Sequence, residues 1–168
     1  MKKNIIPSNN LFKQLDNLDE YKKISLLHSK DILIVSSKYH KEINDSLITD
    51  FVNTIDNNYS IGLIEVPGAF ELSYIIKKVL NQFSPKLILV VACIIKGDTK
   101  HDEYLSSSII NTINVMSMDH LIPIINGILT TNTLDQAINR AGKKYRKGNE
   151  YAETSMEMLS LVSSLDDK

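Results

Sequence analysis

The stretch LILVVACII (Leu87–Ile95) is an unbroken apolar run with no alternation of apolar and polar residues. A strand with one wet face alternates, whereas a strand covered by helices on both faces reads apolar throughout. The run therefore predicts a central parallel strand. It is also only about half of the roughly 20 apolar residues a membrane-spanning helix needs. Reading outward, ILIV (32–35), IGLIEV (61–66) and IPIINGIL (122–129) are three more strand candidates. Pro123 has no N–H to give a ladder and belongs at a strand start or on an edge strand.

Between the strands the apolar period changes to that of a helix. Ile43, Leu47, Ile48, Phe51 and Ile55 mark one face, and Leu72, Ile75, Ile76, Val79, Leu80 and Phe83 a second. Leu105, Ile109, Ile113 and Met116 mark a third. In TNTLDQAINRAG, Thr133 reads as an N-cap, Gln136 as its capping-box partner and Gly142 as the stop. A last helix, roughly 148–162, turns Ala152, Met156, Leu159 and Val162 inward. This alternation predicts an α/β fold: a three-layer, flavodoxin-like sandwich with a four-stranded parallel sheet, helices on both faces and right-handed crossovers. Residues 31–168 read as a single domain. Residues 1–30 read as a partly flexible extension, with Leu11, Leu15 and Leu18 at helical spacing behind a polar, proline-containing tip.

At 168 residues, 43% apolar and 23% charged, the chain suits one globular domain with one real core. A net charge of −1 supplies no field for wrapping nucleic acid or lying on an anionic membrane. One cysteine excludes an intrachain disulfide and a cysteine-built zinc site. It also fits a reducing compartment. MKKNIIPSNN lacks the apolar centre of a secretory signal, so the expected location is cytoplasmic.

In parallel α/β sheets, ligands bind outside the carboxyl ends of the strands. That directs attention to residues 36–41, 66–71, 96–102 and 127–133. In IIKGDTKHDEY (94–104), Thr99 and Asp102 have the spacing of a helix start. The amides of Gly97, Asp98 and Thr99 then sit at the positive helix end, where they can hold a phosphate without a basic residue; an ordinary capped helix looks the same. His101, in the first turn, is either a proton shuttle working near neutral pH or a solvated side chain. His28, His40 and His120 show no metal-ligand spacing with it, and no metal is expected.

In EVPGAFEL (65–72), the bare backbone at Gly68 admits a ligand. Glu71 can accept hydrogen bonds from a polyol or simply complement the helix dipole. Tyr39 can stack on a flat heterocycle or merely pack. Arg140, late in its helix, suits the carbonyl end there, so a phosphate role would need a neighbouring subunit. Cys93 reads as an inert buried thiol.

Together VPGAFEL, KGDTKHDEY and PIINGILTTNTLDQAINRAG resemble, in order and separation, the three signature stretches of the 6,7-dimethyl-8-ribityllumazine synthase family. The likeness runs over about 31–161. The resemblance implies an enzyme that condenses 5-amino-6-(D-ribitylamino)uracil with 3,4-dihydroxy-2-butanone 4-phosphate in riboflavin biosynthesis, with no metal or organic cofactor. By position, His101 matches the family's proton-transfer histidine. Gly97, Asp98 and Thr99 match its phosphate loop, and Arg140 the arginine offered by the adjacent subunit. Gly68, Ala69, Phe70 and Glu71 match the segment gripping the ribityl chain, Tyr39 the aromatic stacked on the pyrimidine, and Ile94 and Ile95 the pocket lining. Lys144 and Lys147 match basic positions near the neighbour's face. Lys38-Tyr39-His40 stands where the family reads Arg-Phe-Asn, and Asn126 where many members place an aromatic against the pyrimidine. The resemblance also implies a homo-oligomer: a pentamer, or a sixty-subunit shell of twelve pentamers. Two alternatives remain at this point, a catalytically weak member serving as a lumazine- or flavin-binding scaffold, and an unrelated monomeric flavodoxin-like domain.

Overall fold

The structure, a computed structural model, describes residues 30–142 and 144–166. The expected helix around Leu11, Leu15 and Leu18 lies outside them. Among the described residues, four strands, β1 (Ile32–Ser37), β2 (Ile61–Val66), β3 (Leu87–Ile95) and β4 (Ile124–Thr131), alternate with five helices. The helices are α1 (Lys41–Thr54), α2 (Leu72–Gln82), α3 (His101–His120), α4 (Leu134–Ala141) and α5 (Lys147–Asp166). The sheet runs β2-β1-β3-β4 with every neighbouring pair parallel.

The apolar run that predicted a central strand is β3, and its side chains divide between two cores. Leu87, Leu89, Val91 and Cys93 join α1, α4 and α5 through Leu47, Phe51, Ala137, Ala152 and Leu159. Ile88, Val90, Ala92 and Ile94 join α2 and α3 through Leu72, Ile76, Val79, Ile109 and Ile113. Fully burying one such aliphatic side chain is worth about 1.5–3 kcal/mol. Three layers follow directly, because each face of β3 must be covered.

Two strands outrun their apolar residues. β1 continues through Ser36 and Ser37, both buried, because pairing with β2 reaches Ser37↔Val66. β4 starts after Pro123 and continues through Thr131, which pairs with Ile95. Pro123 gives only its carbonyl, which accepts from Ile88 N at 3.0 Å. Hydrophobicity stops at the first polar residue; the ladder continues while a partner strand is present.

The opposite end of the sheet is tied by a polar knot. Asp31 Oδ2 accepts from Ser60 N and Ser60 Oγ at 2.9 and 2.7 Å, and Oδ1 faces Lys86 Nζ at 2.9 Å. Burial alone would raise the Asp31 carboxyl, but the Ser60 hydrogen bonds and Lys86 outweigh it and hold the pKa at about 2. A folded pKa below the unfolded value means stability that is present above about pH 4 and lost as pH falls towards 2. Asp31→Asn should therefore cost about 1–2 kcal/mol near neutral pH, allowing for solvent screening. Urea unfolding at pH 7, 4 and 2 checks this, the deficit shrinking to a small remainder at the lowest pH.

Candidate active site

The chain leaves β1 for β2 on one side and crosses to β3 on the other, so the loops after β1 and β3 diverge. That topological switch point is where a crevice opens at the carboxyl ends of strands. A cavity of about 460 Å³ lies there. Tyr39 and His40 line it from the β1 loop, and Gly68, Ala69, Phe70 and Glu71 from the β2 loop. Cys93, Ile94, Ile95, Gly97 and Thr99 line it from the end of β3, and His101, Asp102 and Leu105 from α3.

Each wall has a local cause. Gly68 gives way to Glu71, whose Oε2 lies 3.0 Å from where a Cβ would stand. Glu71 sits at the N-cap of α2 in a helical conformation rather than inside its first turn, and its side chain makes no capping bond. Gly97 differs from Gly68. No glycine among the described residues has positive φ, and a Cβ at Gly97 would meet nothing within 4 Å. Neither backbone conformation nor packing calls for glycine there; a side chain would only fill open space beside the loop.

The start of α3 departs from the expected cap. Lys100, not Thr99, takes the N-cap position, and it makes no side-chain bond. Thr99 Oγ1 accepts from His101 N at 3.4 Å, and Asp102 Oδ1 accepts from Gly97 N at 3.3 Å. The bend through 98–100 brings the Gly97 amide within reach of the short aspartate. A carboxylate thus already sits on one amide of the loop, where an arriving anion would have to compete with it. Burial pushes the Cys93 thiol up to about 11, so it stays protonated.

A second cavity of about 330 Å³ shares Ile94 and Asp102 with the first. Lys96, Glu103, Ser106, Thr130, Gln136 and Arg140 are among its lining. Arg140 is set there by α4, whose start Thr133 caps as expected, while the Gln136 side chain reaches Asn132 rather than the Thr133 N–H. Gln136 N donates to Thr133 Oγ1 at 3.2 Å, while Gln136 Oε1 accepts from Asn132 N at 2.9 Å. Gly142 ends the helix, its N–H donated to Ile138 O.

Comparison with known proteins completes the picture. A family model for 6,7-dimethyl-8-ribityllumazine synthase matches residues 29–163. The chain belongs to the 6,7-dimethyl-8-ribityllumazine synthase family. A relative of that name from Campylobacter jejuni subsp. doylei is 36% identical over 148 residues, covering 85% of this chain and 96% of its own length. One from Buchnera aphidicola subsp. Baizongia pistaciae is 34% identical over 148 residues, with 84% and 93% covered. One from Parabacteroides distasonis is 32% identical over 151 residues, with 86% and 94% covered. The parallel three-layer α/β architecture is consistent with the lumazine synthase family.

Ten of the thirteen sequence-selected site residues line the first cavity: Tyr39, Gly68, Ala69, Phe70, Glu71, Ile94, Ile95, Gly97, Thr99 and His101. Asp98 lines neither cavity, and Arg140 lines only the second. Asn126 stands exposed on β4, outside both, with Oδ1 accepting from Ile128 N at 3.1 Å. Sequence reasoning missed Cys93, Asp102 and Leu105 as lining, while His40, noted only as the replacement for the family's asparagine, lines it too. Cys93 and Leu105 carried only core signals, and Asp102 was absorbed into a cap motif. Among the described residues, no helix is long and apolar enough to cross a membrane.

Proposed function

We propose that the chain condenses 5-amino-6-(D-ribitylamino)uracil with 3,4-dihydroxy-2-butanone 4-phosphate to 6,7-dimethyl-8-ribityllumazine, in the cytoplasm and as a homo-oligomer, with pentamers as the unit. The observation carrying this reading is the convergence in one cavity of Tyr39, Glu71, the loop at Gly97 and His101. An amine adding to a ketone, losing water, eliminating phosphate and closing a ring needs proximity, proton transfer and an anion site. Those residues supply each in turn. Tyr39 receives the flat heterocycle, Glu71 the ribityl hydroxyls, and the Gly97–Thr99 amides the phosphate. His101 takes the proton released by the attacking amine and returns it to the departing water. Arg140 meets the phosphate of the adjacent subunit's site.

The purified protein is expected to turn the two substrates into a fluorescent lumazine. Tight lumazine binding without turnover, even at high enzyme concentration, would instead favour a scaffold. Mixing tests the shared site. His101→Ala and Arg140→Ala proteins, each impaired alone, should on co-assembly regain about a quarter of full activity, the chance that an intact histidine meets an intact neighbouring arginine in a head-to-tail ring. No recovery after verified subunit exchange would confine both residues to one chain's site.

A further inference from the structure

We infer that Asn44 is a positioning residue that sets the aromatic wall of the cavity, an inference resting on the reading of Tyr39 as the heterocycle's platform. Tyr39 is 67% exposed, so packing does not hold its ring, and the direction of that ring is decided by the backbone beneath it. That backbone is tied at every residue. Lys38 N donates to Val66 O at 2.8 Å, and Tyr39 N to Ser37 Oγ at 3.1 Å. The N–H groups of Ile43 and Asn44 donate to His40 O at 3.0 and 3.2 Å. Two further carbonyls, of Ser37 and Tyr39, both accept from Asn44 Nδ2, at 2.7 and 2.9 Å.

His40 shows why the clamp is needed. Its φ of 54° and ψ of 45° are left-handed, a conformation uncommon for non-glycine residues. Its side chain makes no capping bond to offset this. The outcome is a Tyr39–His40 pair with ring centroids 4.6 Å apart at 69°, both residues lining the cavity.

Asn44 itself is fully buried, on a helix face otherwise made of Ile43, Leu47, Ile48 and Phe51. Its Oδ1 is buried and accepts no hydrogen bond from the described residues. Only the donor end of the amide is used, and used twice. Two converging carbonyls call for a group with two N–H donors, which a carboxylate lacks and a hydroxyl half-supplies.

Asn44→Ala removes both donors and Asn44→Thr keeps one. Three readouts separate positioning from bulk stability: the KM for each substrate, the thermal midpoint, and the NMR shifts of the His40 ring, which feel the Tyr39 ring current without any substrate. In Asn44→Ala the His40 signals should lose their Tyr39-dependent displacement, and the KM for the ribitylaminouracil should rise about tenfold. The KM for the phosphate substrate should stay within about twofold, and Asn44→Thr should fall between. Unmoved His40 signals would overturn the inference, as would both KM values rising together with a lowered midpoint. Tyr39→Ala isolates the underlying reading. If it leaves the ribitylaminouracil KM unchanged, the platform role of Tyr39 fails; if it raises that KM while Asn44→Ala does not, the positioning role of Asn44 fails.

Discussion

His101→Ala is expected to lower kcat about 100-fold while leaving the thermal unfolding midpoint where it was. The two halves of the result have separate causes. His101 is the first residue of α3 and is exposed, belonging to neither apolar core. Its backbone N–H, accepted by Thr99 Oγ1, is untouched by the substitution. Stability therefore has little to lose. Positioned proton transfer contributes about 10²–10⁴-fold, and the lower end applies where the reactants are themselves an amine and a ketone. Initial rates of fluorescent product at saturating substrates check the first half and a melting curve the second. A loss smaller than about threefold would remove His101 from the proton-transfer role, whatever the rest of the site does.

Gly148→Ala should do the reverse, costing about 3 kcal/mol of stability through overpacking. A Cβ there would stand 2.2 Å from Leu47 O, 2.7 Å from Asp50 Cβ and 3.0 Å from the Leu47 carbonyl carbon. These atoms belong to α1, so α5 would have to back away from a helix that carries the fully buried Leu47 and Phe51. Alanine's better helix propensity returns at most about 1 kcal/mol and does not offset the clash. For a chain of this size the loss corresponds to a midpoint lower by roughly 6–12 °C. The same region is held by Arg146, whose Nη2 lies 2.9 Å from Asp50 Oδ1, so the displaced helix would also strain that pair. An unchanged midpoint would mean that α1 and α5 part without cost, contrary to their close approach.

These two residues illustrate what could be read in advance. His101 was legible because its neighbours form a local pattern, a strand end, a glycine and a helix start, that predicts where the side chain emerges. Gly148 was not. In the sequence it is one glycine in a basic connector, and only the approach of α1, about a hundred residues earlier in the chain, makes its missing side chain necessary. Asn44 was invisible for the same reason. A polar residue beside Ile43 reads as solvent-facing, and its burial depends on the β1 loop folding back over the start of α1.

Asn126 and Arg140 are positions that one chain alone does not bring to the cavity of Tyr39 and His101. The resemblance set Asn126 where many members place an aromatic against the pyrimidine, and within one chain it stands exposed on edge strand β4, away from the cavity. Arg140, expected to serve a neighbouring subunit, is delivered by α4 to the second cavity rather than to the Gly97–Thr99 loop of its own chain.

The sequence by itself determined the strands and helices, the double-faced burial of β3, the capping of α4 and the loops that carry chemistry. All of these depend on residues a few positions apart, where apolar period and hydrogen-bonding side chains act directly. Only the tertiary structure decided that β1 and β4 run on past their apolar residues, that Asp102 reaches the Gly97 amide, and that Asn44 clamps Tyr39. Those outcomes depend on where the chain returns after a crossover or a tight bend, and the energy that selects them lies in contacts with partners no local pattern names.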